Sequence, residues 1–393
     1  MNHVHRVIFS GMQILNANDW LQDHAVVVED SQITAIISHD MIKHHLPAIH
    51  YTFPADHLLI PGLIDLHVHG AAGYDVMDDS ATALQHISLA LAAEGTTGFL
   101  ATTMTAPPEK LAAVLQTIAT HQTTVTGAAI LGVHLEGPFI AKEKVGAQRA
   151  DAVQLPDVTL IRDWQRLTNQ IIKVITLAPE LAGALEFIQS LNQTGVVLSI
   201  GHTHATYAET QAAIAAGCKQ ATHLFNAMRG LHQREPGAVG ALLLAEQVAV
   251  ELIADGIHLH PAILELVTRV KNKQLLLLVT DAIRAKCLGD GQYDLGGQSV
   301  QVVENKATLA DGRLAGSTLS LPQAINNMMT FTKCTLEDAI AMASAHPARV
   351  LGLSARKGAI VVGKDADLVV MQADFSVALT MCMGKVVFRQ EAI

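Results

Sequence analysis

Two histidines stand one residue apart, His67-Val68-His69, at the end of an apolar run over 58–66, and Gly70 follows. Side chains alternate along a strand, so positions i and i+2 share a face. Both imidazoles are expected to look the same way, where one cation takes a nitrogen from each. Neutral imidazole is the commonest protein metal ligand. Further donors close other apolar runs: Glu136 after 130–135, His202 after 196–201, and Asp281 after 275–280; His223 follows Gln220-Ala221-Thr222. Nitrogen and oxygen donors gathered in this way suit zinc or another divalent transition metal.

The hydrophobic pattern gives the elements that must carry these groups. From Leu58 onward short apolar strands alternate with helical segments, the strands ending near His67, Thr103, Glu136, Ala178, His202, His223, Asp255 and Asp281. Helical patterns cover 81–93, 108–121, 181–191, 207–216 and 261–270. Pro108 and Pro261 suit first turns, and Gly95, Gly195 and Gly217 suit stops. Eight strands with helical patterns between most of them predict an α/β fold, a (β/α)8 TIM-like barrel, whose C-terminal strand ends converge on one mouth. The polar residues fall at those ends. An open doubly wound sheet is the alternative; no GxGxxG follows a strand, which argues against its dinucleotide-binding version.

Both ends of the chain read as β structure: 4–8, 25–28 and 33–37, then 359–362, 367–371 and 385–388. They are expected to form one discontinuous β-sandwich domain, 1–57 with 355–393, beside a catalytic barrel at 58–354. Segment 287–314, rich in Gly, Asp and Gln, reads as an insertion above the barrel mouth, followed by helices over 322–332 and 336–344.

The 393 residues suffice for a large core. Half are hydrophobic and mean hydropathy is +0.31, yet no apolar stretch approaches the ~20 residues that cross a bilayer. The first residues lack the cationic region and apolar core of a signal peptide. Cys218, Cys287, Cys334 and Cys382 form no CxxC pair, which fits reduced thiols in a cytoplasmic protein. A net charge of −10 argues against general nucleic-acid binding but leaves room for a small anionic substrate. His204 is expected to be an ordinary loop residue. His3, His5, His24, His39, His44, His45 and His50 show no ligand spacing and are expected on the surface.

A barrel with HxH after its first strand, later single histidines and a final aspartate resembles the amidohydrolase superfamily, and the tail phrase over 358–369 is typical of that group's β domain. More narrowly, the chain resembles the N-acetylglucosamine-6-phosphate deacetylase family. The matching phrases include His134-Leu135-Glu136-Gly137-Pro138, Leu177-Ala178-Pro179-Glu180, Gly201-His202-Thr203, Thr222-His223-Leu224-Phe225-Asn226-Ala227-Met228, Arg234-Glu235-Pro236-Gly237, Ile253-Ala254-Asp255-Gly256-Ile257-His258, Val279-Thr280-Asp281-Ala282 and Leu314-Ala315-Gly316-Ser317. Segments 230–237 and 74–79 also resemble the relatives that act on the 4-epimer, N-acetylgalactosamine 6-phosphate.

The resemblance implies hydrolysis of the N-acetyl group of a phosphorylated amino sugar. Glu136, His202 and His223 would hold the principal ion, and His67 and His69 a second, with Glu136 bridging. Zinc comes first, with iron, cobalt or manganese as alternatives, one or two ions per subunit. Asp281 would be the general acid/base. Ala147, Asn226, Ala227, Arg234, His258, Leu314, Ala315 and Gly316 would contact substrate. A homodimer is implied, with Arg234 reaching into the neighbour's site; read from the residues alone, Arg234 suits a surface ion pair with Glu235. These roles make chemical sense. A metal lowers the pKa of bound water from about 16 to about 7. A carboxylate beside that water can take its proton and deliver it to the leaving nitrogen. An arginine forks onto phosphate. One departure stands out: Gln148 follows Ala147 where the family often has histidine, and glutamine donates a hydrogen bond without carrying charge. It is therefore not counted as catalytic. A non-catalytic assembly protein on the same barrel is the reading from another class.

Overall fold

The computed structural model describes residues 5–17 and 19–390; His3 and Val4, expected on the surface and in the first strand, lie outside the described residues. Eight strands form one parallel sheet in chain order: β1 (Leu63–Val68), β2 (Thr96–Thr103), β3 (Ala129–Glu136), β4 (Ile172–Leu177), β5 (Val197–Ile200), β6 (Gln220–Ala221), β7 (Ala249–Leu252) and β8 (Leu276–Leu278). All of β1, β2, β7 and β8 is buried, as parallel strands covered on both faces must be. The sheet closes just past β8, where Val68 pairs with Ala282. There the Asp281 amide donates to the His67 carbonyl at 2.9 Å, and the His69 amide donates to the Ala282 carbonyl at 2.8 Å. Backbone of the candidate site residues thus makes the seam that turns an open sheet into a barrel.

The helices that cover the sheet are α1 (Ala81–Ala93), α2 (Pro108–His121), α3 (Val158–Leu167), α4 (Ala184–Leu191), α5 (Tyr207–Ala216), α6 (Gly237–Leu244), α7 (Pro261–Val270) and α8 (Leu321–Thr332). Two of them fall where the sequence pattern gave none. Segment α6 reads Gly-Ala-Val-Gly-Ala-Leu-Leu-Leu and is buried through Leu243, so it has no polar face to reveal a helical period. Helix α3 is fixed by a cap instead: Asp157 Oδ1 accepts from the amides of Thr159 and Leu160, while β-branched Val158, Thr159 and Ile161 blur the pattern.

The apolar run over 58–66 is two strands rather than one. Leu58–Pro61 pairs with Gln13–Asn16 and Leu368–Met371 in a six-stranded sheet built from both ends of the chain. Gly62 then leads into β1; a Cβ there would lie 2.2 Å from Thr97 Oγ1. A four-stranded sheet, Gln32–Ser38, His24–Glu29, Arg6–Ser10 and Ile49–Thr52, packs on the six-stranded one across Val7, Phe9, Val26, Leu59, Leu368 and Leu379. The insertion forms three antiparallel strands, Gly291–Leu295, Gln298–Val303 and Lys306–Leu309. Their apolar face packs on Met104 and Ile283 at the barrel rim.

Barrel closure leans on Asp65, a fully buried residue of β1. Its carboxylate accepts from Thr280 Oγ1 at 2.6 Å, the Thr280 amide at 3.3 Å and the His67 amide at 3.2 Å. A buried donor left unpaired costs about 1–3 kcal/mol. Asp65→Ala is predicted to lower unfolding stability by about 2–4 kcal/mol, read by denaturant titration; a loss below about 0.5 kcal/mol, the usual range of surface substitutions, would remove Asp65 from the closure.

Candidate active site

Glu136 ends β3 at the centre of the mouth and is 2% exposed. Its Oε1 lies 3.1 Å from Nε2 of both His202 and His223, and 3.4 Å from Nε2 of His67. Its Oε2 lies 3.2 Å from His69 Nε2 and accepts from Gln148 Nε2 at 2.6 Å. Asp281 Oδ1 stands 3.3 Å from His69 Nε2 and 3.4 Å from His67 Nε2. Two donor groups face each other here, Glu136–His202–His223 and His67–His69–Asp281, each with its atoms within 4.8 Å of one another; a third such group, His67–His134–Glu251, is fully buried.

Three of these residues adopt left-handed backbone just past their strands: His202 at φ 46°, His223 at φ 29° and Asp281 at φ 49°. Such conformations cost a non-glycine residue of order 1–3 kcal/mol and persist only where neighbours fix them. Here the Ala141 amide donates to His202 O, the Asp281 amide to His67 O, and the His223 amide to Glu251 Oε2.

Three of the four outward ring nitrogens are also held, whereas His223 Nδ1 is buried without a partner. His67 Nδ1 meets Glu251 Oε2 at 3.0 Å, His69 Nδ1 meets the Thr102 carbonyl at 3.2 Å, and His202 Nδ1 meets the Lys144 carbonyl at 2.7 Å. An N–H donated at Nδ1 leaves the lone pair at Nε2, facing the cluster. Imidazole nitrogens and carboxylate oxygens so aimed fit a divalent metal ion.

Electrostatics say the same from the other side. Burial opposes charge on His67, yet Glu136, Asp281 and Glu251 raise its pKa well above the ordinary value. Burial likewise opposes charge on His69, but Asp281 and Glu136 lift it to about 9. Burial pushes both carboxylates up, yet His67, His202 and His223 hold Glu136 well below the carboxylate range, and His67 with His69 holds Asp281 at about 2. Two buried carboxylates thus demand positive charge, from protons or from an ion.

A cavity of about 460 Å³ opens onto the cluster. Ala147, Asn226, Ala227, His258, Leu314 and Gly316 line it, with Glu136, His69, His202, His223 and Asp281. His67 is fully buried and does not line it. Ala315 is fully buried and is not a lining residue. Arg234 is not brought there: it is exposed, in the segment before α6. Nor does it pair with Glu235, whose Oε1 accepts from the amides of Tyr207 and Gly237. His204 is exposed and outside the cavity, and the described early histidines are exposed or half-buried.

Sequence reasoning missed several groups. Gln148, set aside for its lack of charge, is 5% exposed and bridges Glu136 Oε2 and the Thr105 amide, each at 2.6 Å. Lys142, Lys144 and Arg313 add cations to the cavity wall, with Arg313 Nη1 donating to the Gly146 carbonyl at 2.6 Å. Glu251 carries a signal that was available: a lone carboxylate inside the apolar run 248–254.

A closed parallel barrel with buried imidazoles and carboxylates at the carboxyl ends of its strands defines a metal-dependent barrel hydrolase. The model of the Amidohydrolase family matches residues 58–387, and the chain belongs to that family. It is 41% identical to N-acetylglucosamine-6-phosphate deacetylase of Vibrio furnissii, over 100% of this chain and 98% of the relative. It is 38% identical to N-acetylgalactosamine-6-phosphate deacetylase of Escherichia coli O157:H7, over 98% and 99%. The crystal structure of N-acetylglucosamine-6-phosphate deacetylase from Pasteurella multocida superposes with a TM-score of 0.91 at 29% identity, over 97% of this chain and 99% of that one.

A raised histidine pKa contributes stability below its unfolded value, and that stability is lost as pH rises through the folded value. For His69 the window runs from 6.5 to about 9. Metal-free protein is therefore predicted to lose thermal stability across that window, while metal-loaded protein, its imidazoles already neutral, does not. Melting curves with chelator and with metal should diverge as pH rises; curves that stay parallel would contradict the shared-proton account.

Proposed function

We propose that this chain hydrolyses the N-acetyl group of N-acetylglucosamine 6-phosphate, giving glucosamine 6-phosphate and acetate. The observation that carries the reading is the pairing of a buried two-group donor cluster with an ionised carboxylate, Asp281, in one cavity. The relatives' shared activity supplies the substrate class. A bound divalent ion supplies Lewis acidity, activating water and polarising the amide carbonyl. Glu136, His202 and His223 are the principal ligands in this reading, and His67 and His69 hold a second ion when two are present. Zinc is the ion we favour, with iron, cobalt or manganese fitting the same donors.

Asp281 starts ionised and acts as base. It takes a proton from the attacking water as the new C–O bond forms. It then returns that proton to the amide nitrogen as the C–N bond breaks, so that amine and acetate leave separately. His258 is positioned for the substrate: its Nδ1 meets Asp255 Oδ2 at 2.6 Å, leaving Nε2 free for the cavity. With Asn226 and the Ala227 backbone it forms the sugar-phosphate contacts in this reading.

The phosphate contact from Arg234 comes from a second subunit. Arg234 is exposed and outside its own cavity, and Leu231 and Leu244 nearby are 56% and 63% exposed, apolar surface that a homodimer would cover. We place the enzyme in the cytoplasm, in keeping with four free cysteines. The galacto epimer is the second reading, favoured by the 38% identical relative.

Two experiments test these roles. Purified protein assayed on both epimers, with elemental analysis, should deacetylate the gluco sugar faster; a galacto preference reverses the assignment. In the same assay Asp281→Asn is predicted to keep its metal while kcat falls about 10²–10⁴-fold, and full activity would take the proton-transfer role from Asp281. Separately, mixing Asp281→Asn with Arg234→Ala subunits should recover activity that neither variant has, because each mixed dimer holds one complete site. No recovery would leave Arg234 without a role across the interface.

A further inference from the structure

Among the described residues, Glu251 is the one carboxylate that touches both donor groups of the cluster without facing the cavity. It lies in β7, fully buried, among residues 248–254 that are otherwise apolar. Its Oε2 accepts from His67 Nδ1 at 3.0 Å and from the His223 amide at 3.1 Å. Its Oε1 accepts from Gln220 Nε2 at 2.6 Å. Its own carbonyl accepts from the Leu224 amide at 2.9 Å. One side chain therefore ties β1, the end of β6 and β7 at the level of the cluster.

Two of these contacts act on different donor groups. The bond to His67 Nδ1–H fixes the ring's tautomer and rotation, so that Nε2 presents its lone pair to Asp281 and Glu136. The bond to the His223 amide braces the residue whose backbone sits at φ 29°. We propose that Glu251 is a positioning residue shared by the two donor groups, setting the orientation of His67 in one and of His223 in the other. This rests on the reading that those histidines hold metal.

The surroundings make Glu251→Gln a clean probe. Gln220 Oε1 is buried with no partner. Turning the Gln220 amide over would let that oxygen accept from the substituted amide, while the remaining oxygen still receives His67 and His223. Packing and hydrogen-bond count survive, and the loss is confined to the negative charge against His67 Nδ1–H.

The full chain is loaded with zinc or cobalt(II), and metal affinity is read by chelator competition. Glu251→Gln is expected to bind metal about 10–100-fold more weakly, with altered visible bands in the cobalt form. At saturating metal kcat should fall while KM for the sugar phosphate holds. Unchanged affinity and an unchanged cobalt spectrum would overturn the role. If wild type binds no divalent ion, both this role and the metal reading fail; if wild type binds and the variant binds equally, only Glu251 loses its assignment. Should Glu251→Gln fail to fold, Glu251→Asp serves instead: it keeps the charge but shortens the reach to His67. The same weakening is expected of it, and unchanged affinity again overturns the role.

Discussion

A carboxylate removed from water must be surrounded by positive charge or hydrogen-bond donors, and Glu136 is the place where this protein meets that demand. Stripping an ion of its hydration costs several kcal/mol even after relaxation. Four imidazoles and the Gln148 amide converge on its two oxygens. A second buried carboxylate, Asp281, shares two of those imidazoles. The arrangement is stable only while protons or a divalent ion supply the missing charge. The same requirement that makes the site costly to build makes it fit a divalent metal ion.

The rest of the barrel mouth can be understood as scaffolding for that convergence. Strand ends do not by themselves bring His202, His223 and Asp281 into one cluster; each needs left-handed backbone at the ligand itself. Those unfavourable conformations are held by hydrogen bonds across neighbouring strands, and at Asp281 the same bond closes the barrel. Fold closure and site assembly are therefore one event. A ring of polar groups buried under the cluster, Asp65, Thr280 and Glu251, fixes the alignment from below.

The cavity wall divides the remaining work by chemistry. Among the described residues the terminal β-sandwich gives none to it, whereas the insertion after Asp281 gives Leu295, Arg313 and Leu314. Loops carried on a rigid barrel can vary in substrate contact while the metal donors stay on strand ends. Gln148 sits at the boundary between the two roles. It borders the cavity, but its amide is spent on Glu136 and Thr105, so here it anchors the Glu136 carboxylate. Local sequence could report that it lacks charge, and could not report what it touches.

The sequence by itself determined which residue types end which strands. His67, His69, Glu136, His202, His223 and Asp281 were legible because alternation and the strand–helix rhythm are local properties, readable within a few residues. Helices α3 and α6 escaped because one has a blurred period and the other no polar face, and their place comes from packing against the sheet. What only the tertiary structure decided is who meets whom. His67 finds Glu251 at a separation of 184 positions, and Thr280 finds Asp65 at 215. Arg234 is exposed and does not line the cavity its own chain builds. Contacts of that range are set by closure of the barrel, which no local pattern encodes; the physical reason is that side-chain periodicity fixes the face a residue shows, while only the folded sheet fixes what stands opposite.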